Sequence, residues 1–197
     1  MSVDMPRALR MFVPGQAVHV YNRGNNKMPI FNEDCDRRTF LGLVKRAFDR
    51  AGVAAHNFTL MTNHFHLFAT PAAEKALSWG MQEIGGRYTR YFNDKYKRCG
   101  TVWQGRFGGV QISDEMYALI CARYIEQNPV RAKIVTDPGD YAWSSYRISA
   151  YGEPSDWLVP HSTYAALGKN DEERRAAYRV ICAEPVPVEA LTWLRKR

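Results

Sequence analysis

The chain has 197 residues, 46% of them apolar and 13% aromatic, with 27 Lys and Arg against 20 Asp and Glu for a formal charge of +7. This composition builds one core, or one core with an appendage, and excludes a disordered chain. The charge suggests a polyanionic partner, and no apolar run reaches the ~18 residues of a membrane span.

The first ten residues carry Asp4 and no apolar centre, so no secretory leader is expected. The cysteines at 35, 99, 121 and 182 are far apart and form no Cys-x-x-Cys pair, which fits free thiols in a reducing cytoplasm. Pro14-Gly15 signals a turn, and Ala17 to Tyr21 follows as a strand with His19 and Tyr21 on one side and Val18 and Val20 on the other. Asn22 to Lys27 reads as a polar loop. Asn32 or Asp34 is placed to cap a helix that runs to about Ala51, with Phe40, Leu43, Val44 and Ala47 at helical spacing.

Ala54 to Met61 and His64 to Thr70 read as strands. The short Thr62-Asn63 link makes them antiparallel neighbours. A long helix follows from Glu74 to Tyr96, weakened at Gly85-Gly86, and then a strand over Phe107 to Ile112. Ser113 is placed to cap the next helix, with Asp114 and Glu115 in its first turn, and Pro129 ends that helix near Asn128. The order β-α-β-β-α-β gives an α+β, ferredoxin-like sheet with one added C-terminal helix and a helical tail. Residues 1–151 form the main domain and 152–197 a helical extension, where Asn170 or Asp171 opens a charged helix.

Three features carry chemistry. His64 and His66, two apart on a strand, point the same way, and two neutral imidazoles can hold one divalent ion. The plain alternative is a pair of hydrogen-bonded histidines on a sheet face. Tyr124 and Asn128, four apart on a helix, share a face and offer a phenol nucleophile and a hard carboxamide ligand. The competing reading makes Tyr124 a core aromatic on a stripe with Met116 and Ile120, and Asn128 a helix cap. Residues 85–107 hold Arg87, Arg90, Lys95, Lys97, Arg98 and Arg106 among six aromatic rings, a pattern suited to phosphates and unstacked bases or to a solvated helix face.

Together these residues resemble a known family. His64-Phe65-His66 after Met61-Thr62-Asn63, and the stretch Arg123 to Ala132 (RYIEQNPVRA), are similar to the histidine strand and nucleophile helix of HUH-type single-strand-DNA tyrosine transposases. Tyr21 to Asn25, Gly100 to Phe107 and Trp143 to Tyr146 resemble the REP-associated branch of that superfamily. Thr62 stands where relatives often have proline. The resemblance, over about residues 14 to 151, implies a transposase that cleaves and rejoins single-stranded or hairpin DNA of REP-like repeats. Tyr124 would be the nucleophile, and His64, His66 and Asn128 the ligands of Mg2+ or Mn2+. An ordinary phenol is only about one part in a thousand ionised at neutral pH, so activation must come from elsewhere in the site. Arg23, Asn25, Lys27, Arg87, Arg90 and Arg106 are the expected DNA contacts. The resemblance also implies a cytoplasmic, nucleoid-associated protein and leaves room for a homodimer. A non-catalytic, domesticated hairpin-binding relative would keep the same residues. In a ferredoxin-like sheet the first and third strands are neighbours, so His19 can face the histidine pair; it is expected to be structural or to touch DNA rather than to bind metal. His56 and His161 are read as structural.

Overall fold

The structure is a computed structural model and describes residues 8–194. Most of the leader expectation therefore lies outside the described residues. The elements run β1 (Ala17–Arg23), α1 (Asp34–Ala51), β2 (Val53–Met61), β3 (His64–Pro71), α2 (Ala76–Tyr96), β4 (Gly108–Ile112), α3 (Glu115–Glu126), α4 (Asn128–Arg131), α5 (Tyr146–Tyr151), α6 (Ser162–Ala165), α7 (Asp171–Ala183) and α8 (Val188–Leu194). The strands form one sheet in the order β2-β3-β1-β4, with every neighbouring pair antiparallel. This is the α+β, ferredoxin-like arrangement expected from the sequence.

The register sorts the sheet into two faces, because directly opposed residues point the same way. Val18, Val20, Phe65, Leu67, Phe58 and Leu60 face the helical layer of α1 and α2 and form one core with Phe40, Val44, Leu77, Ile84 and Tyr88. The other face carries Ala17, His19, Tyr21 and Arg23 from β1 beside His64, His66 and Phe68 from β3. It is covered by α3, whose Cys121, Tyr124 and Ile125 pack with Ala17, Phe68 and residues of α8. The alternating pattern of the strands thus sends the aliphatic set one way and the imidazoles the other.

Several boundaries differ from expectation for local reasons. β1 extends two residues further, so Arg23 is a strand residue opposite His64 rather than a loop residue. Glu33, not Asn32 or Asp34, caps α1 and completes a reciprocal box with Asp36. Asp114, not Ser113, caps α3; its carboxylate accepts from the backbone N–H groups of Met116 and Tyr117. The Gly85-Gly86 pair does not break α2, which is held by the burial of Ile84 and Tyr88 on either side. Pro129 does not only stop a helix. It sits in the first turn of α4, where a missing N–H costs nothing.

The tail is laid against α3. Gln127 donates through Nε2 to the carbonyls of Cys182 (2.6 Å) and Glu184 (2.7 Å), and Arg123 donates to that of Ile181 (3.2 Å). Glu126 is fully buried and accepts from Tyr178 of α7 (2.6 Å), Asn57 of β2 (2.8 Å) and Ser145. Burial raises its carboxyl pKa, and the donors around it pull the other way. Among the described residues no helix is long and apolar enough to cross a membrane.

Candidate active site

The site lies where β1 and β3 run side by side beneath α3. The ring of His66 is 5.2 Å from that of His64 and 5.0 Å from that of His19. The Tyr124 ring meets His66 and His19 edge-on, at 5.5 Å from each. The same chain therefore brings together the two histidines and the tyrosine singled out from sequence. Tyr124 does not lie on a stripe with Met116, which is 71% exposed; it turns inward with Cys121 and Ile125 and is 5% exposed. Gly108 leaves room for this arrangement: a Cβ there would come within 2.2 Å of the Tyr21 ring, which lies tilted 5.2 Å from His19.

All three imidazoles are held neutral. Burial lowers His19 to about 3. Burial and then the Arg23 charge lower His64 to about 4. Burial, the neighbouring His19 and His64, and Arg131 hold His66 well below the usual range. Neutral rings are the form that ligates metal.

The hydrogen bonds determine which nitrogens are available. Asn63 donates through Nδ2 to the Lys27 carbonyl (2.8 Å), which turns its amide oxygen toward His64 Nδ1 (2.7 Å). His64 Nδ1 must then carry the proton, and its Nε2 keeps a lone pair. His66 Nδ1 lies 2.8 Å from His19 Nε2, so its Nε2 is again the nitrogen not engaged with protein. His19 Nδ1 is buried with no hydrogen-bond partner among the described residues. Asn128 donates through Nδ2 to the carbonyl of Tyr124 (2.9 Å), which caps the helix and leaves Oδ1 for other work. His64 Nε2 thus offers a lone pair and His66 Nε2 has no protein partner among the described residues, and neutral imidazoles of this kind suit a divalent cation. Among the described residues no group of three or more His, Cys, Asp or Glu side chains gathers to hold a metal.

A family model described as transposase, IS200-like, matches residues 13–128, more than half of the chain. The chain belongs to the IS200-like transposase family. This transposase also resembles, at 18% identity and a TM-score of 0.63, a solved REP-associated tyrosine transposase bound to a REP hairpin; the match covers 79% of this chain and 92% of that one. A proposed transposase from Deinococcus radiodurans R1 matches at 14% identity and a TM-score of 0.43, covering 62% of this chain and 97% of that one. A comparison with curated proteins finds no match.

The expected DNA contacts of the transposase divide by position. Arg23 is beside His64 and donates through Nε to Gln104 (2.8 Å). Asn25 and Lys27 form the turn after β1. Arg106 is exposed in the segment before β4. Arg87 and Arg90 lie on α2, the layer that covers the opposite face of the sheet, and Arg87 is paired with Glu83 (2.8 Å). The rings interleaved with those cations are largely core. Tyr88 and Phe92 are buried, and Tyr91 and Tyr96 pack against the same core and donate to Asp36.

His19, placed from sequence where it can face the pair, is hydrogen-bonded to His66. One residue near the site was not identified from sequence. Arg131 places its guanidinium carbon 4.8 Å from the Tyr124 ring centroid. Its seven-residue spacing from Tyr124, two helical turns, was the available signal.

Proposed function

We propose that this transposase cleaves and rejoins single-stranded, hairpin-flanked DNA through a 5′-phosphotyrosine on Tyr124. The observation that carries this reading is the edge-on approach of the Tyr124 ring to His66 within one chain. His64 and His66, through Nε2, and Asn128, through Oδ1, would hold Mg2+ or Mn2+. When bound, such an ion polarises the scissile phosphate and stabilises the leaving oxygen.

The protein's own part is positional. α3 fixes the phenol beside the imidazoles, and the buried wall of Phe68, Cys121 and Ile125 limits its motion. In the reaction a bond forms between Tyr124 Oη and phosphorus as the bond from phosphorus to the 3′-oxygen breaks. The phenol proton passes to solvent, and the departing 3′-oxygen gains one. The ester energy is kept in the phosphotyrosine, so a later 3′-hydroxyl reseals the strand by the reverse exchange.

A strand with its phosphates exposed suits this site better than a stacked duplex. The solved REP-associated transposase is bound to a REP hairpin, which supports the same partner class here. We assign DNA contact to Arg23, Asn25, Lys27 and Arg106 near the site and to Arg87 and Arg90 on α2. Residues 152–197 act in this reading as an extension of the catalytic unit 1–151, and the protein works in the cytoplasm at the nucleoid. A homodimer is compatible with the reading but not required, since one chain supplies both the phenol and the histidines.

The test is a single-stranded oligonucleotide carrying its hairpin, incubated with Mn2+. Wild-type protein should form an adduct that survives denaturing electrophoresis. Tyr124→Phe should form none while its hairpin affinity stays near wild type, and His64→Ala should lose both cleavage and metal binding. Cleavage unchanged in chelator would refute the metal assignment.

A further inference from the structure

We propose that Arg131 is a catalytic residue that grips the scissile phosphate beside Tyr124. The inference rests on the reading of Tyr124 as nucleophile and adds a group to it.

The geometry begins with the backbone. After α3, Gln127 stays helical and Pro129 opens α4, so Arg131 follows Tyr124 by two turns on nearly the same face. Helical side chains lean toward the N-terminus, so a long side chain at 131 reaches back toward the ring at 124. The guanidinium accordingly lies 4.8 Å from the Tyr124 ring centroid, and its charge is felt at His66.

No carboxylate among the described residues meets its charge. Among the described residues every ion pair joins other partners, and Arg131 makes none. Its neighbours are neutral imidazoles and a phenol, and Lys133 two residues on is also cationic. A half-buried guanidinium among neutral rings calls for an anion, and the anion this site is built to receive is a phosphodiester. The planar fork of arginine matches two non-bridging phosphate oxygens in a way an ammonium does not. As the phenol attacks, charge builds on those oxygens, and a fixed cation there acts where it lowers the barrier.

The same hairpin oligonucleotide in Mn2+ tests this under single-turnover conditions. Adduct formation by Arg131→Gln should slow about 100-fold or more. Hairpin affinity by fluorescence anisotropy and Mn2+ affinity by electron paramagnetic resonance should stay within about threefold of wild type. Arg131→Lys should recover part of the rate, and added guanidinium should partly restore Arg131→Ala. A rate for Arg131→Gln within a few fold of wild type would overturn the proposal, as would parallel loss of rate, hairpin binding and Mn2+ binding with no guanidinium rescue. Absence of any Tyr124 adduct in wild-type protein would sink the functional reading itself, whatever the variant does.

Discussion

At the scale of single residues, the site is a set of tautomers. Asn63 and His19 each occupy an Nδ1 and leave an Nε2, a matter of proton placement rather than of composition. His19→Phe keeps the aromatic bulk but removes the partner of His66 Nδ1. Loss of such an outer partner commonly lowers metal affinity by about 10- to 100-fold. We expect a drop of that size in Mn2+ affinity for His19→Phe, read by paramagnetic resonance titration, with the fold intact by circular dichroism. Unchanged affinity would show that His19 only fills space. The His64-x-His66 spacing was legible in sequence because a strand's two-residue period dictates a shared face. His19 was legible as facing the pair once the sheet order was read, but its hydrogen bond to His66 was not, because it joins residues 47 apart and depends on the strand register.

At the scale of elements, capping and anchoring decide where α3 sits. Ser113 and Asp114 are adjacent and both good caps; the sequence reading chose Ser113, but the Asp114 carboxylate reaches two backbone N–H groups and prevails. Pro129 was legible as a break near Asn128, but a proline that disfavours the helix before it also suits the first turn of the next. α3 is fixed from its far side by α7 through Tyr178 and the buried Glu126. Tyr178→Phe removes that donor and leaves a buried carboxylate short of one hydrogen bond, at about 1–3 kcal/mol. Urea denaturation should show a loss of this size without a change of slope; an unaltered midpoint would mean that Asn57 and the nearby serines satisfy Glu126 alone. The charged helix after Asn170 was legible from its cap and acidic first turn, and Asn170 does accept from the Glu173 N–H (2.9 Å). Its docking on α3 was not, since the bonds that seat it join distant parts of the chain.

At the scale of the whole molecule, stability depends on histidines kept uncharged. His56 bridges the Val159 carbonyl (2.7 Å) and the Thr70 hydroxyl (2.8 Å), tying the extension to the sheet. Burial, with a smaller push from His161, lowers it to about 4. Below pH ~6.5 the unfolded chain takes up a proton that folded His56 refuses until about pH 4, so stability falls as pH drops through that window and is unaffected above it. The full loss from this residue is up to roughly 3 kcal/mol. Denaturation midpoints at pH 7.5, 6 and 5 should fall more steeply for wild type than for His56→Gln; parallel lines would contradict the assignment. The overall positive charge, legible from composition, is less a free surface than it seemed, because Arg87 and Lys95 are paired with carboxylates within the fold.

The central claim is that one phenol, brought to the histidine pair by α3, takes the DNA strand. The most direct measurement is mass spectrometry of the adduct after nuclease trimming and trypsin digestion. A residual nucleotide is expected on the peptide 124–131, which begins at Tyr124 and contains no other tyrosine. A nucleotide on Tyr117 or Tyr21 instead, or an adduct that persists in Tyr124→Phe, would contradict it.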